Sequence, residues 1–149
     1  MSFEISAFNM SLTLIASVTY PQGVIITQFA DDTDPLDVPA ITIGGAEMGL
    51  NGDLVTYATP APIVVNLSLI PNSDDDVALR ILLENNRVGA GKFGTFDIIS
   101  LTRVMPDGRV STLSQGKIIS GPPLTAVASS GRQKSTVYGF AFENISGRG

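Results

Sequence analysis

Short runs of β-branched and aromatic residues recur along the chain, separated by clusters of glycine, proline, asparagine and aspartate. The first kind of residue fits a pleated, half-buried surface and the second forms turns, so the pattern predicts many strands joined by turns. The predicted strands are 11–17, 24–29, 38–43, 54–58, 63–70, 95–104, 109–119 and 135–143. This number of strands is enough for a β-sandwich or barrel, and the predicted fold class is mainly β.

One helix is predicted, for residues 73–87. Ser73 can accept a hydrogen bond from a free backbone N–H of the first turn, and the aspartates at 74–76 place negative charge at the positive end of the helix dipole. Gly89 follows where a left-handed C-terminal cap would stand. The face expected to pack on the sheet holds Val77, Ala78, Ile81, Leu82 and Leu83.

Two predicted strands alternate clearly between an apolar face and a second face. In strand 63–70 the core face is expected to hold Ile63, Val65, Leu67 and Leu69. The opposite face is expected to be wet or to pair with a partner, and it holds Val64, Asn66 and Ser68. In strand 135–143 the predicted core face holds Tyr138, Phe140 and Phe142.

Residues 31–60 predict a long protruding β-hairpin, because Asn51-Gly52 directly before a β-rich run is a strong turn signal. A hairpin of this kind leaves strand edges and apolar residues unpaired in an isolated chain, so we expect a partner subunit to cover it. The candidate inter-subunit residues are Ile41, Ile43, Met48, Leu50, Asn51 and Asp53.

An acidic surface loop opens the same segment, at Asp31, Asp32, Asp34 and Asp37. Carboxylates can hold a hard cation, but the glycine and terminal glutamate of an EF-hand loop are missing. A solvated loop is therefore the preferred interpretation, and no metal is assigned.

The residue types used most often in catalysis are scarce. The chain has no cysteine and no histidine, which excludes thiolate nucleophiles, the usual zinc sites and the commonest general base. Residues 89–94 spell GxGxxG, yet they follow a helix and lead into a strand, the reverse of a dinucleotide site. Ser114 and Lys117 spell SxxK, but in a predicted strand and without the accompanying motifs. We expect neither an enzyme nor a cofactor.

The 149 residues predict a single domain, and its charge is unevenly distributed. Residues 1–79 carry ten acidic residues and no basic one, whereas residues 80–149 carry four acidic and nine basic residues. This polarity permits head-to-tail association between copies, although both sets could equally be mixed on one solvated surface. It argues against a nucleic-acid-binding face in the first half.

We also expect synthesis in the cytoplasm and no membrane segment. The first basic residue is Arg80, so the early positive charge of a secretory signal is missing. The apolar stretch 10–29 is broken by Pro21, Gln22 and Gly23, which favours two strands and a turn.

The order of these elements resembles the tail tube proteins of contractile-tailed bacteriophages, a group that also resembles the Hcp subunit of type VI secretion. The segments that carry the resemblance are Gly-Leu-Asn-Gly-Asp-Leu-Val at 49–55, Ile-Val-Val-Asn-Leu-Ser-Leu at 63–69, the acidic helix start at 73–83, and Thr-Val-Tyr-Gly-Phe-Ala-Phe at 136–142. They span most of the chain as a pattern of elements.

The resemblance implies a virion protein whose hexameric rings stack into the inner tube of a phage tail, through the hairpin and the terminal arms. The implied partners are further copies of the chain and the tail sheath and baseplate proteins. DNA would pass through a negatively charged lumen without specific binding. The face holding Val64, Asn66 and Ser68 is a candidate lumen surface.

Two alternatives stay open. One is a baseplate, tail-terminator or tube-initiator protein of the same fold, which would form rings without polymerising. The other is an unrelated β-sandwich binding module, such as one for carbohydrate, although the chain lacks tryptophan for stacking on sugars.

Overall fold

The computed structural model describes residues 10–30, 35–106, 108–124, 127 and 129–147. Its strands are β1 (Ser11–Ala16), β2 (Tyr20–Ile26), β3 (Leu36–Asp37), β4 (Gly44–Met48), β5 (Leu54–Ala58), β6 (Ile63–Leu69), β7 (Ile99–Val104), β8 (Val110–Ser120), β9 (Thr136–Phe142) and β10 (Asn144–Gly147), and helix α1 (Asp74–Asn86) lies between β6 and β7. The prediction of a mainly β fold with one helix is confirmed.

An eight-stranded antiparallel sheet forms most of the molecule, in the order β2, β1, β7, β8, β9, β6, β3, with β10 paired to β8. The chain after β2 then meets the far side of β6, where Phe29 pairs with Leu69. The N–H of Ala30 donates to the carbonyl of Ser68 at 3.0 Å, and the N–H of Ile70 donates to the carbonyl of Gln28 at 3.1 Å. These bonds join the two sides of the curved sheet, so the sheet wraps around its core.

The core follows the predicted alternation of the strands. Val65, Leu67 and Leu69 of β6 are fully buried. Tyr138, Phe140 and Phe142 of β9 face the same interior, and each ring contributes on the order of 2 kcal/mol through burial. Leu12 and Leu14 of β1 and Ile99 and Leu101 of β7 complete the opposite wall.

The structure corrects several predicted strand bounds. Residues 38–43 form no strand, and the strand that pairs with β5 is Gly44–Met48. Proline at position 39 offers no N–H for a ladder, and the turn at 49–53 fixes the pairing nearer to the tip. Strand β7 begins at Ile99 instead of residue 95, because the preceding residues bond to side chains outside the sheet. The short strands β3 and β10 were not predicted.

Helix α1 has the predicted bounds but buries a different face. The Ser73 hydroxyl accepts from the N–H of Asp76 at 3.2 Å, which confirms the predicted N-cap. Leu79 and Leu82 are buried, whereas Val77 and Ile81, which were expected to pack on the sheet, are about half exposed. Gly89 is not the cap, since the helix ends at Arg87 in an extended conformation.

Two acidic side chains of the first turn explain this rotation. Asp76 is fully buried and contacts Arg80 at 3.0 Å, while its other oxygen accepts from the hydroxyls of Thr136 at 2.6 Å and Tyr138 at 2.8 Å. Asp75 accepts from the N–H groups of residues 27 and 28 at 2.8 and 2.9 Å. These carboxylates therefore tie the helix to β9 and to the end of β2, in addition to favouring the helix dipole.

A third buried carboxylate, Asp97, holds the turn between β1 and β2. It accepts from the N–H of Val18 at 2.7 Å, from the N–H and hydroxyl of Thr19, and from the Asn86 amide at 2.8 Å. Burial acts to raise the pKa of Asp97, but these hydrogen bonds outweigh it and lower the pKa from 3.8 to about 2. Asp97 therefore joins the end of α1 to the barrel as a carboxylate.

Strand β2 lies at the edge of the sheet and carries features that disfavour pairing. Pro21 has no N–H, and Gly23 adopts a φ of 90°, which bends the strand. Asp75 occupies the two N–H groups that directly follow the strand. The edge therefore offers few regular donors to another strand.

Candidate functional site

The β-hairpin formed by β4 and β5 stands apart from the main sheet as a two-stranded sheet of its own. Five residue pairs join it, from Gly44 opposite Ala58 to Met48 opposite Leu54. The N–H of Gly49 donates to the carbonyl of Asp53 at 2.8 Å, and Gly52 in the turn has a φ of 86°, a conformation that favours glycine. The turn predicted at Asn51-Gly52 is confirmed.

The surface of this hairpin is apolar and acidic. Leu50 at the tip is fully exposed, and Ile43 and Met48 are each 67% exposed. The other candidate residues, Ile41, Asn51 and Asp53, are exposed as well. Glu47 and Asp53 supply negative charge, and residues 38–62 contain no Lys or Arg. An isolated two-stranded hairpin of this kind is at best marginally stable in water, so its exposure favours a partner.

Tyr57 stiffens the base of the hairpin. It lies opposite Gly45, and a Cβ atom on that glycine would come within 2.2 Å of the Tyr57 ring. The ring therefore covers the glycine backbone, a cross-strand contact that substitutes for a missing side chain. This contact adds to the backbone pairing of the two strands.

An apolar cavity of about 250 Å³ lies among strands of the main sheet and the segments that flank the hairpin. It is lined by Leu12, Leu36, Val38, Ile63, Val65, Leu101, Arg103, Ser111, Leu113 and Ile145. Val38 and Ile63 are the residues through which the chain enters and leaves the hairpin region. Arg103 is the one basic side chain in this lining, and its buried Nε has no hydrogen-bond partner among the described residues.

The predicted non-core face of β6 is only partly open. Val64 and Asn66 are half-buried, and Asn66 lies opposite Gly139 of β9. Ser68 is only 5% exposed, because its N–H donates to the carbonyl of Pro35 and its carbonyl accepts from the N–H of Ala30. Ser68 is therefore not part of an open face of the chain, whereas the assignment of Val64 and Asn66 to a lumen or partner surface stays a prediction.

The predicted acidic loop falls largely outside the described residues, which leave out Asp31, Asp32 and Asp34. Asp37 is exposed in β3, opposite Asn66. Within the described ranges, no three acidic side chains lie together as a metal site would need, and no helix is long and apolar enough to cross a membrane.

The two sequence motifs lie in ordinary structure. Residues 89–94 form a tight turn after the helix, in which Gly89 pairs with Lys92 and Gly91 has a φ of 70°. Ser114 and Lys117 lie within β8, as predicted, and the Lys117 ammonium lies 5.2 Å from the centre of the Phe96 ring. Neither motif has the context of a nucleotide site or a nucleophile.

Sequence reasoning missed the cavity, Arg103 and Asp97. Alternation places Leu12, Val65 and Leu101 inside a barrel, but it cannot show that their side chains leave a gap. In the sequence, Arg103 cannot be distinguished from an ordinary polar residue at the end of a strand. Asp97 binds a turn far away in the sequence, so its role depends on the tertiary fold.

Several solved structures share this fold. A chain in the extended sheath-tube complex of PVC, an extracellular contractile injection system, matches with a TM-score of 0.56 and 8% identity, over 99% of this chain and 93% of that one. A chain in the PVC sheath/tube terminator matches with a TM-score of 0.56 and 8% identity, over 100% and 99%. A chain in the anti-feeding prophage baseplate matches with a TM-score of 0.52 and 11% identity, over 100% and 98%.

At these identities the likeness establishes the fold alone. No curated protein matches the chain. A family model described as tail fiber protein gp32 matches residues 3–146, which is nearly the whole chain. The chain therefore belongs to the tail fiber protein gp32 family, and it is a phage tail-related protein.

Proposed function

We propose that this chain is a structural subunit that joins copies of itself into a ring at one end of the tube of a contractile tail, as a terminator or baseplate component. The observation that carries this proposal is the hairpin of β4 and β5. It extends from the barrel with exposed apolar residues on both strands and at the tip, and a neighbouring copy would cover them.

The position at an end of the tube is supported by the similar structures. They include the anti-feeding prophage tube-terminating cap, its baseplate and the PVC sheath/tube terminator. In such a position the chain contacts the tube, the sheath or the baseplate as well as its own copies. A structural role also agrees with the family, which gives no indication of catalysis.

A second candidate is the repeating subunit of the tube itself, built from stacked hexameric rings. It is favoured by the charge difference between the two halves of the chain, since an acidic surface of one ring would attract a basic surface of the next. In this version DNA would pass through an acidic lumen that repels phosphate, which allows sliding without binding.

Electron microscopy of the purified protein tests the proposal and separates the two candidates. We expect hollow rings of uniform diameter, because each copy covers its hairpin on the next and the series closes. A terminator or baseplate component yields single rings or short stacks at every concentration, whereas a tube subunit yields hollow rods that lengthen with concentration. Light scattering after size exclusion gives the mass of the ring.

The matched control replaces residues 44–58 with two glycines. This variant should be monomeric, because it lacks the hairpin but keeps the barrel. A wild-type protein that stays monomeric at all concentrations contradicts the proposal, and so does a ring that persists without the hairpin.

A further inference from the structure

The apolar cavity lined by Val38 and Ile63 has the size and chemistry of a receptor for one aliphatic side chain. A dry cavity of about 150 Å³ lined by apolar residues can bind benzene. This cavity is larger, about 250 Å³, and apolar side chains line most of it. Val38 and Ile145 are about half exposed and mark its opening to solvent.

Arg103 indicates which kind of group accompanies that side chain. Its Nε is buried and has no hydrogen-bond partner among the described residues, although buried guanidinium donors are normally paired. The Nε itself is closed to solvent, so a carboxylate next to the incoming apolar group would pair with the charge of the guanidinium, the one basic group in the cavity lining. The occupant should therefore combine an exposed aliphatic side chain with an acid a few residues away.

The tip of the hairpin has this combination. Leu50 is fully exposed, and the exposed Asp53 stands three positions further along the same turn. The turn bond between residues 49 and 53 keeps the two close together. A second exposed segment, which carries Phe93 at 91% exposure, matches less well, because its neighbour is the basic Lys92.

The hairpin tip is not expected to dock in the cavity of its own chain. The five paired residues of each hairpin strand span about 17 Å at the usual rise of a strand. The tip lies at the far end of the hairpin, and none of residues 44–58 lines the cavity among the described residues. Tip and cavity are therefore distinct patches, which fit each other between two copies in a head-to-tail arrangement.

We propose that the hairpin tip of one copy docks in this cavity of the next copy, with Leu50 as the apolar anchor and Asp53 as the partner of Arg103. This inference rests on the proposed function, and it adds the surface that receives the hairpin. The contact is heterologous, so repetition around an axis generates a ring or a stack.

Cysteine cross-linking tests the contact, since the chain has no cysteine of its own. In a variant with Asn51→Cys at the tip and Val38→Cys at the cavity mouth, oxidation should give a ladder of dimers, trimers and larger species on a non-reducing gel. Each single variant should give at most dimers. The control pairs Asn51→Cys with Ile81→Cys, whose exposure on helix α1 is similar to that of Val38, 47% against 51%.

The possible results separate this inference from the proposed function. A ladder that is several-fold stronger than the control and is lost on adding Leu50→Ala supports the docking. Rings in the microscope without that ladder overturn the docking and leave the proposed function standing. A cross-linked monomer that runs faster on the gel shows a tip in its own cavity and overturns the docking. Absence of any assembly contradicts both.

A charge exchange provides an independent check. Asp53→Lys on the exposed tip should fold and should prevent assembly, because it places a cation against Arg103. Adding Arg103→Glu should restore rings, whereas the control Glu84→Lys, on helix α1 and outside the cavity lining, should assemble as the wild type does. If Asp53→Lys assembles normally, the assigned ion pair is wrong.

Discussion

At the residue scale, Asp97 shows how a buried charge can organise a mainly β protein. It is fully buried and accepts hydrogen bonds from two backbone N–H groups and from the side chains of Thr19, Thr95 and Asn86. The fold thus surrounds the carboxylate with donors, which keeps its pKa near 2. The turn between β1 and β2 and the C-terminal end of helix α1 are both bonded to this carboxylate.

We expect Asp97→Asn to lower the free energy of unfolding by about 2–3 kcal/mol at neutral pH. An amide has only one acceptor oxygen, and its NH₂ group would face the N–H and O–H donors that surround this position. Urea unfolding followed by circular dichroism measures the loss. Asp37→Asn is the control, since Asp37 is exposed and its replacement should change stability by less than about 0.5 kcal/mol. Equal stability of both variants would contradict the role assigned to Asp97.

The same carboxylate predicts a specific acid response. Its pKa in the folded chain, about 2, lies below the ordinary 3.8, so ionised Asp97 stabilises the fold above about pH 4. That contribution, about 2 kcal/mol, should be lost as the pH falls from 4 towards 2. Unfolding free energies measured from pH 6 to pH 2 should show a smaller decrease for Asp97→Asn than for the wild type. Parallel curves would contradict this assignment.

At this scale, only local interactions could be predicted from the sequence. The Ser73 cap involves neighbours in the chain, and it was predicted correctly. The partners of Asp97 lie in the turn after β1, and those of Asp76 lie in β9, so both interactions require knowledge of the fold. The prediction of the buried helix face was wrong for the same reason, because the sequence by itself suggests only a capping role for Asp76.

At the scale of elements, the hairpin is separate from the barrel in its strand pairing. Its strands pair only with each other in the sheet topology, and the Tyr57 ring covers Gly45 within the hairpin. Its two ends, Gly44 and Ala58, lie opposite each other. The barrel core of β1, β6, β7 and β9 contains no residue of the hairpin among the described residues.

We therefore expect replacement of residues 44–58 by two glycines to change the unfolding free energy by less than about 0.5 kcal/mol, because no core side chain is lost. Thermal and urea unfolding measure this change. Leu67→Ala serves as a positive control and should cost about 2–5 kcal/mol, since Leu67 is fully buried. A deletion that unfolds the chain would show that the hairpin belongs to the core.

Elements with a strong local sequence pattern were predicted well, and elements with a weak pattern were not. Asn51-Gly52 located the turn, and alternation located β6 and β9. The strand before the turn was placed at 38–43, because Gly44 and Gly45 have low strand propensity. Their pairing becomes understandable only opposite Tyr57 and Ala58, a contact that sequence reasoning did not consider.

At the scale of the whole molecule, part of the acidic charge counted in the sequence is not available to a partner. Asp75, Asp76 and Asp97 are buried, so part of the charge counted in the sequence serves the fold. The hairpin keeps two exposed acids and no base, whereas Arg103 lies at the cavity. The hairpin and the cavity therefore carry opposite charge, and other exposed charges, such as those of Lys117 and Glu143, lie elsewhere on the chain.

We expect assembly to slow as ionic strength rises, because screening shortens the reach of these charges from about 30 Å at 0.01 M salt to about 3 Å at 1 M. Light scattering after dilution into the two salt concentrations measures the rate. The Asp53→Asn variant should assemble more slowly at low salt and respond less to added salt. Faster assembly at high salt would indicate that apolar contacts alone control the encounter.

The edge formed by β2 has a consequence for how such a chain survives before assembly. A regular free edge would let concentrated copies add strand to strand and precipitate as aggregates. Pro21, the bend at Gly23 and the donors taken up by Asp75 make that route unfavourable. Unassembled copies should therefore be less prone to aggregate through this edge, so that their association depends on other surfaces.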